Sequence, residues 1–195
     1  SYASSTTYIT GQAVVKACGE LKQRICSIAA GMMDCKENAV VFEGKQVRRI
    51  NTDQTVSLTD IAYQSQTCNN IAAESTAAHS SPVSPPPYMV GMVEIELDKL
   101  TGKVDILDYM AVVDCGIPIN PALARIQTEG GIVQGIGHTL MENVTYNDSG
   151  RPVESSFMQY KLPTRQDIGR LHVEFEHSYE PTGPFGAKSI GEIVI

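Results

Sequence analysis

Between Pro121 and Asn143 a stretch with helical periodicity carries four glycines within eight residues, Gly130, Gly131, Gly135 and Gly137. Each glycine costs a helix interior up to about 1 kcal/mol relative to alanine. A chain that keeps them must offset that cost by letting something approach the helix backbone closely. Two readings are open on the residues alone. Another helix or a flat ligand packs on the bared backbone, with Gln134 among the glycines as an amide able to donate and accept hydrogen bonds. Alternatively the glycines serve tight packing and Gln134 faces solvent.

The segments on either side define the fold class. From Thr7 to Met33 apolar residues recur at helical spacing (Ile9, Ala13, Ala17, Leu21, Ile25, Ile28, Met32), after a Ser4, Ser5, Thr6 cluster suited to a helix N-terminus. Ala39–Phe42 and Gly44–Val47 read as two short strands around a turn. Ser57 then opens a shorter helix as an N-cap with Asp60 at the third helical position. Residues 72–88, rich in Ser, Ala and Pro and ending in Pro85, Pro86 and Pro87, read as an extended crossing. Tyr88–Leu97 alternates as a strand does, and Thr101 and Gly102 turn it into Val104–Val113, giving a two-stranded antiparallel ribbon. Asp114–Pro121 is a loop before the glycine-bearing helix, and Leu171–Phe175 alternates as a further strand. Glu180–Gly191 is rich in Gly and Pro and has no long periodic run. The class is α+β, organised as a single domain over residues 1–195.

Composition narrows the function classes. With 42% apolar residues among 195, the chain can bury a core. The net charge of -7 and the scattered basic residues exclude the concentrated cationic stripe that nucleic acid binding needs. No apolar run approaches the ~20 residues that span a bilayer, so neither nucleic acid nor membrane is an expected partner. Five cysteines at irregular spacings, without a C-x-x-C pair, point to a reducing, cytoplasmic compartment and against a zinc or iron–sulfur site in this chain. His79, His138, His172 and His177 lack the spacing of a ligand set.

Two further residues carry open readings. Glu192 sits in a stretch dense in Gly and apolar residues, where a carboxylate can serve as a general base; the plainer reading is a surface glutamate before a short strand. Lys188, four residues earlier, is either a site residue or a solvated lysine.

Three segments in this order are similar to the molybdenum-binding domain of the xanthine dehydrogenase and aldehyde oxidase family. They are Ala3–Ala13 (ASSTTYITGQA), Thr128–Gly137 (TEGGIVQGIG) and Gly186–Glu192 (GAKSIGE). Between them Val93–Gly102 and Asp114–Ala122 resemble the family's strand, turn and loop pattern, so the likeness spans nearly the whole chain. Ile193 departs from the Gly-Glu-Pro ending frequent in the family.

The resemblance implies the C-terminal portion of a molybdenum cofactor-binding domain. It puts the backbone of Ala3 beside molybdenum, Ser4 and Thr6 on the pyranopterin, Gln134 and Lys188 among the cofactor-binding residues, and Glu192 as the catalytic base. The cofactor implied is a molybdenum pyranopterin, as molybdopterin or its cytosine dinucleotide, with Fe–S clusters and FAD on other domains or subunits. The activity implied is hydroxylation of a purine or related N-heterocycle with oxygen from water. Alternatives are the same chemistry on aldehydes or carbon monoxide, and a non-catalytic fragment serving cofactor docking or subunit assembly. The upstream half of the molybdenum subunit is an expected partner, since the family's remaining cage and substrate residues lie there, and this chain alone is expected to be inactive. Apolar faces that would meet that half lead to the expectation of an oligomer.

Overall fold

The computed structural model describes residues 5–68, 72–81 and 83–195. The chain divides into two compact units, Thr10–Ser80 and the combination of Ser1–Ile9 with Ser81–Ile195.

In the first of these, α1 (Gly11–Met32) follows a π-helical turn at Thr6–Thr10. Thr10 precedes α1 in helical conformation and makes no side-chain cap bond, because the chain enters α1 already wound. The helix ends where Asp34 adopts a left-handed φ of 47°. Asp34 N–H donates to the Gly31 carbonyl at 3.3 Å and Cys35 N–H to the Ala30 carbonyl at 3.0 Å, which satisfies two of the orphaned carbonyls. Three short strands follow, β1 (Val40–Phe42), β2 (Gln46–Arg49) and β3 (Thr55–Ser57), in one antiparallel sheet of that order. β2 starts two residues later than the sequence reading, because Gly44 takes a φ of 77° and belongs to the turn. β3 went unread; at three residues it is too short to show a period.

Ser57 caps α2 (Leu58–Thr67) as expected: its hydroxyl oxygen accepts from Asp60 N–H at 3.1 Å and its proton goes to the Asp60 carboxylate at 2.6 Å. Ala29, Ala30, Met33, Val40, Val47 and Ile61 form the core of this unit.

In the second unit β4 (Tyr88–Leu97) and β5 (Val104–Asp114) pair antiparallel, and β6 (Arg170–Phe175) adds to β5 in parallel. The expected ribbon is therefore two strands of a three-stranded sheet. A parallel partner requires a crossover, and α3 (Pro121–Leu140) lies within it. α3 packs on the face that presents Ala111, Val113 and Val173, where Ile132, Ile136 and Val194 complete the core. The opposite face exposes Val90 and Met92 of β4 against Val112 and Met110 of β5. Residues 72–81 and 83–87 have no regular structure, as the Ser, Ala and Pro composition of the crossing implied. The mixed helix and sheet class is the one read from the sequence.

The glycines of α3 have a partner within the chain. A Cβ on Gly131 would lie 2.1 Å from Cγ2 of Val194, and one on Gly135 would lie 3.1 Å from the carbonyl carbon of Ile195. The bared backbone is thus covered by the segment that follows Glu192. Gly137 is crowded instead by Glu142 and Pro163, and Gly130 faces open space. Val194 is β-branched and 2% exposed, so it has no room to yield. Gly131→Ala should therefore be destabilising by roughly 1–3 kcal/mol. Gly130→Ala should be neutral or gain up to about 1 kcal/mol. Thermal melting of the two variants side by side checks the contrast.

Candidate functional site

The end of β5, the start of α3 and the terminal loop meet beside the N-terminal π-helical turn. They enclose a cavity of about 470 Å³. Thr6 and Thr7 line it from the turn, Ile117, Ile119 and Asn120 from the loop, Leu123 and Gln127 from α3, and Lys188 to Gly191 from the terminal loop. Each wall is held by local chemistry. Tyr8, 3% exposed, hydrogen-bonds through its hydroxyl to Ser81 at 2.9 Å and Thr182 at 2.6 Å, which anchors the turn to the chain just before the terminal loop. Asn120 accepts from Leu123 N–H at 3.1 Å through Oδ1, and Pro121 fills the first helical position, where no N–H is needed.

The terminal loop is bound to the loop after β5. Gly116 and Ala187 form an isolated antiparallel bridge, Ile117 N–H donates to the Gly186 carbonyl at 2.9 Å, and Lys188 N–H donates to the Cys115 carbonyl at 2.8 Å. Gly116 must be glycine: its φ is 68°, and a Cβ there would sit 2.2 Å from the Gly186 carbonyl oxygen. Side chains reinforce the junction. Lys188 donates to Asp114 Oδ2 at 2.7 Å, while Asp114 Oδ1 accepts from Gly116 N–H at 3.0 Å and from the Ser178 hydroxyl. Burial pushes the Asp114 carboxyl upward, but Lys188, Ser178 and Gly116 outweigh it and hold the group below its ordinary value. Burial raises the Cys115 thiol, which therefore stays protonated and non-nucleophilic near neutrality.

The residues singled out in the sequence fall as follows. Thr6 and Lys188 line the cavity, and Glu192 follows its last lining residue, Gly191, with an exposed side chain. Gln134 lies on α3, seven residues beyond Gln127, exposed and outside the cavity lining. Ala3 and Ser4 lie outside the described residues. Asn120, Gln127 and Asp114 were not anticipated as site residues. Asp114 and Asn120 both fall in the family-like segment Asp114–Ala122, and the Asn-Pro pair was a further signal for Asn120; nothing local marked Gln127.

A group rich in oxygen and nitrogen fits the cavity's chemistry. Hydroxyls of Thr6, Thr7 and Ser189 and the amides of Asn120 and Gln127 stand beside an apolar wall of Ile117, Ile119 and Leu123. Among the described residues no group of three or more His, Cys, Asp or Glu side chains could hold a metal ion. A metal brought by its own organic ligand needs hydrogen-bonding walls from the protein, and those are the groups present here.

Residues 1–169 match the family described as the molybdopterin cofactor-binding domain. The chain belongs to that family. It is 33% identical over 204 residues to the 6-hydroxypseudooxynicotine dehydrogenase complex subunit gamma of Paenarthrobacter nicotinovorans, covering 100% of this chain and 25% of that protein. It is 32% identical over 195 residues to a probable hypoxanthine oxidase of Escherichia coli K12, covering 99% and 20%. Among solved structures, quinoline 2-oxidoreductase from Pseudomonas putida 86 superposes with a TM-score of 0.82 at 26% identity, covering 98% of this chain and 25% of that one. Proteins named as a carbon monoxide dehydrogenase large chain and an abscisic-aldehyde oxidase are also related. The resemblance to xanthine dehydrogenase-type molybdenum subunits read from the motifs therefore holds, and the chain spans a quarter or less of the first relatives' length. The cofactor class of the family is molybdopterin. Among the described residues, no helix is long and apolar enough to cross a membrane.

Two outcomes test the local account. Asn120→Ala should cost about 1 kcal/mol by removing the α3 cap, and Asn120→Asp, which keeps an acceptor, should not; melting midpoints separate them. Because the Asp114 carboxyl is held low, its contribution to stability is complete above about pH 4 and disappears as pH falls through the lower folded-state value. An acid series of melting curves should show that loss in the wild type and a smaller one in Asp114→Asn.

Proposed function

We propose that this chain is the C-terminal, cofactor-facing part of the molybdenum subunit of a hydroxylase that inserts water-derived oxygen into a purine-like or other N-heterocyclic substrate. The observation that carries the reading is the cavity itself. It gathers Thr6 of the first family-like segment, the Asp114–Ala122 loop and the terminal loop of the third, from Thr6 to Gly191, 185 residues apart in the sequence. Hypoxanthine, quinoline and a hydroxylated pyridine alkaloid in the names of related proteins favour a nitrogen heterocycle over aldehydes or carbon monoxide.

In this reading the bound molybdopterin supplies a two-electron acceptor and an oxygen made acidic by the metal. The chain's own residues bind and orient. Thr6, Thr7, Asn120 and Ser189 offer hydrogen bonds to the cofactor's polar edge, joined by Ala3 and Ser4 from the N-terminal segment, and Gln134 reaches it once the rest of the subunit is in place. Ile117, Ile119 and Leu123 exclude water from one side. Glu192, in the segment leaving the cavity, would act as the general base, accepting a proton at its carboxylate. Its exposure in this quarter of the subunit makes the remaining portion responsible for enclosing it. Fe–S and FAD-bearing partners in a cytoplasmic assembly would accept the electrons.

Glu192→Gln in the complete holoenzyme should lower kcat by about 10²- to 10⁴-fold, the range for losing a general base. Molybdenum and pterin content should stay at the wild-type level. Turnover equal to wild type would remove Glu192 from the mechanism.

A further inference from the structure

Asp114 belongs to none of the roles above, yet it is the most heavily bonded carboxylate near the cavity. It ends β5, and its two oxygens receive Lys188, Ser178 and the Gly116 backbone, drawing together the ends of β5 and β6 and the terminal loop. The Asp114 and Lys188 side chains are 20% and 11% exposed, so this ion pair is partly withdrawn from solvent. Lys188 is committed on other sides too. Its ammonium reaches the Pro86 carbonyl at 3.5 Å and lies 5.7 Å from the centre of the Tyr88 ring. An ammonium engaged by a carboxylate, a carbonyl and an aromatic face has its charge neutralised within the protein. That geometry suits a strut better than a ligand for an anionic cofactor.

We propose that Asp114 is a positioning residue: through Lys188 it latches the terminal loop onto the end of β5, and so sets where Ser189 and Gly191 stand in the cavity wall and where Glu192 leaves it. The proposal rests on the reading of that cavity as the cofactor site. The latch spans 74 residues of sequence. The backbone bonds at Gly116, Ile117 and Lys188 hold the loop at one bridge, and the charged pair adds a side-chain tie directly beside it. Removing either partner leaves the other as a half-buried charge without its counterion, which loosens the loop rather than emptying the cavity.

The test uses the complete holoenzyme with Asp114→Asn, Lys188→Met, Lys188→Arg and the Asp114→Asn/Lys188→Met double variant. Three readouts are taken: molybdenum and pterin content, amide hydrogen exchange of residues 186–191, and the separate changes in kcat and KM. Asp114→Asn and Lys188→Met should each speed exchange in that peptide by about tenfold or more, the scale of one lost charge-assisted hydrogen bond. Both should lower kcat with KM and cofactor content held. The double variant should be no worse than the poorer single one, because both changes remove one interaction. Lys188→Arg, which keeps the cation, should recover most of the loss.

Unchanged exchange in both single variants overturns the latch. Faster exchange with wild-type kcat overturns the positioning role. Loss of cofactor in Lys188→Met but not in Asp114→Asn overturns it differently, by making Lys188 a direct ligand. Should Asp114→Asn fail to assemble, Ser178→Ala withdraws one donor from the same carboxylate, and exchange in residues 186–191 must still rise or the latch fails. Wild-type turnover in Glu192→Gln would remove the base while leaving the exchange comparison to decide the latch, so the two failures are distinguishable.

Discussion

The junction between the terminal loop and the end of β5 is the constraint on which the cavity depends. The terminal segment returns to the sheet and α3 partly through apolar contacts, with Val194 in the core and Ile190 and Ile193 packed against it. A single bridge at Gly116 and Ala187, two flanking backbone bonds and one ion pair also bring that segment back. The return is possible only because Gly116 has no side chain where the Gly186 carbonyl must lie. Conformational freedom at one residue thus permits the close approach, and electrostatics at the next holds it.

A second consequence follows for α3. Once the terminal loop is pinned, the residues after Glu192 are carried across the glycine face, where Val194 fills the space against Gly131. The glycines serve chain packing at that place, and the amide of Gln134 is left outward. The helix therefore does two jobs on different faces: its first turns line the cavity, and its glycines seat the last residues of the chain. The outer face of the β4–β5 ribbon has no such partner among the described residues, which is why Val90, Met92, Met110 and Val112 stay exposed.

Much of the architecture was legible in local pattern. The helical period of residues 7–33, the Ser57 cap, the alternation of Tyr88–Leu97 and the Asn-Pro start of α3 are each encoded within a few residues, and each element formed there, although the first turn of the first helix is π-helical and α1 proper begins at Gly11. β3 carried too few residues for a period to register. The strand at Arg170–Phe175 was readable as a strand, but its parallel pairing with β5 was not, since the partners are separated by a long crossover. At the candidate site, Thr6 and Lys188, singled out from their motifs, line the cavity, whereas the place of Gln127 in its wall and the bonding of Asp114 were not readable, because the groups they meet are remote in sequence.

What the sequence by itself determined is most of the elements, their α+β class and the family to which the chain belongs, because helical and strand periods, caps, turns and motif order are written in adjacent residues. What only the tertiary structure decided is which groups meet: that Val194 lies against Gly131, that Lys188 is spent on Asp114, and that the Glu192 and Gln134 side chains are exposed. The physical reason is that such contacts depend on closing loops of tens of residues, and the free energy that closes them comes from groups with no local signature of their partner.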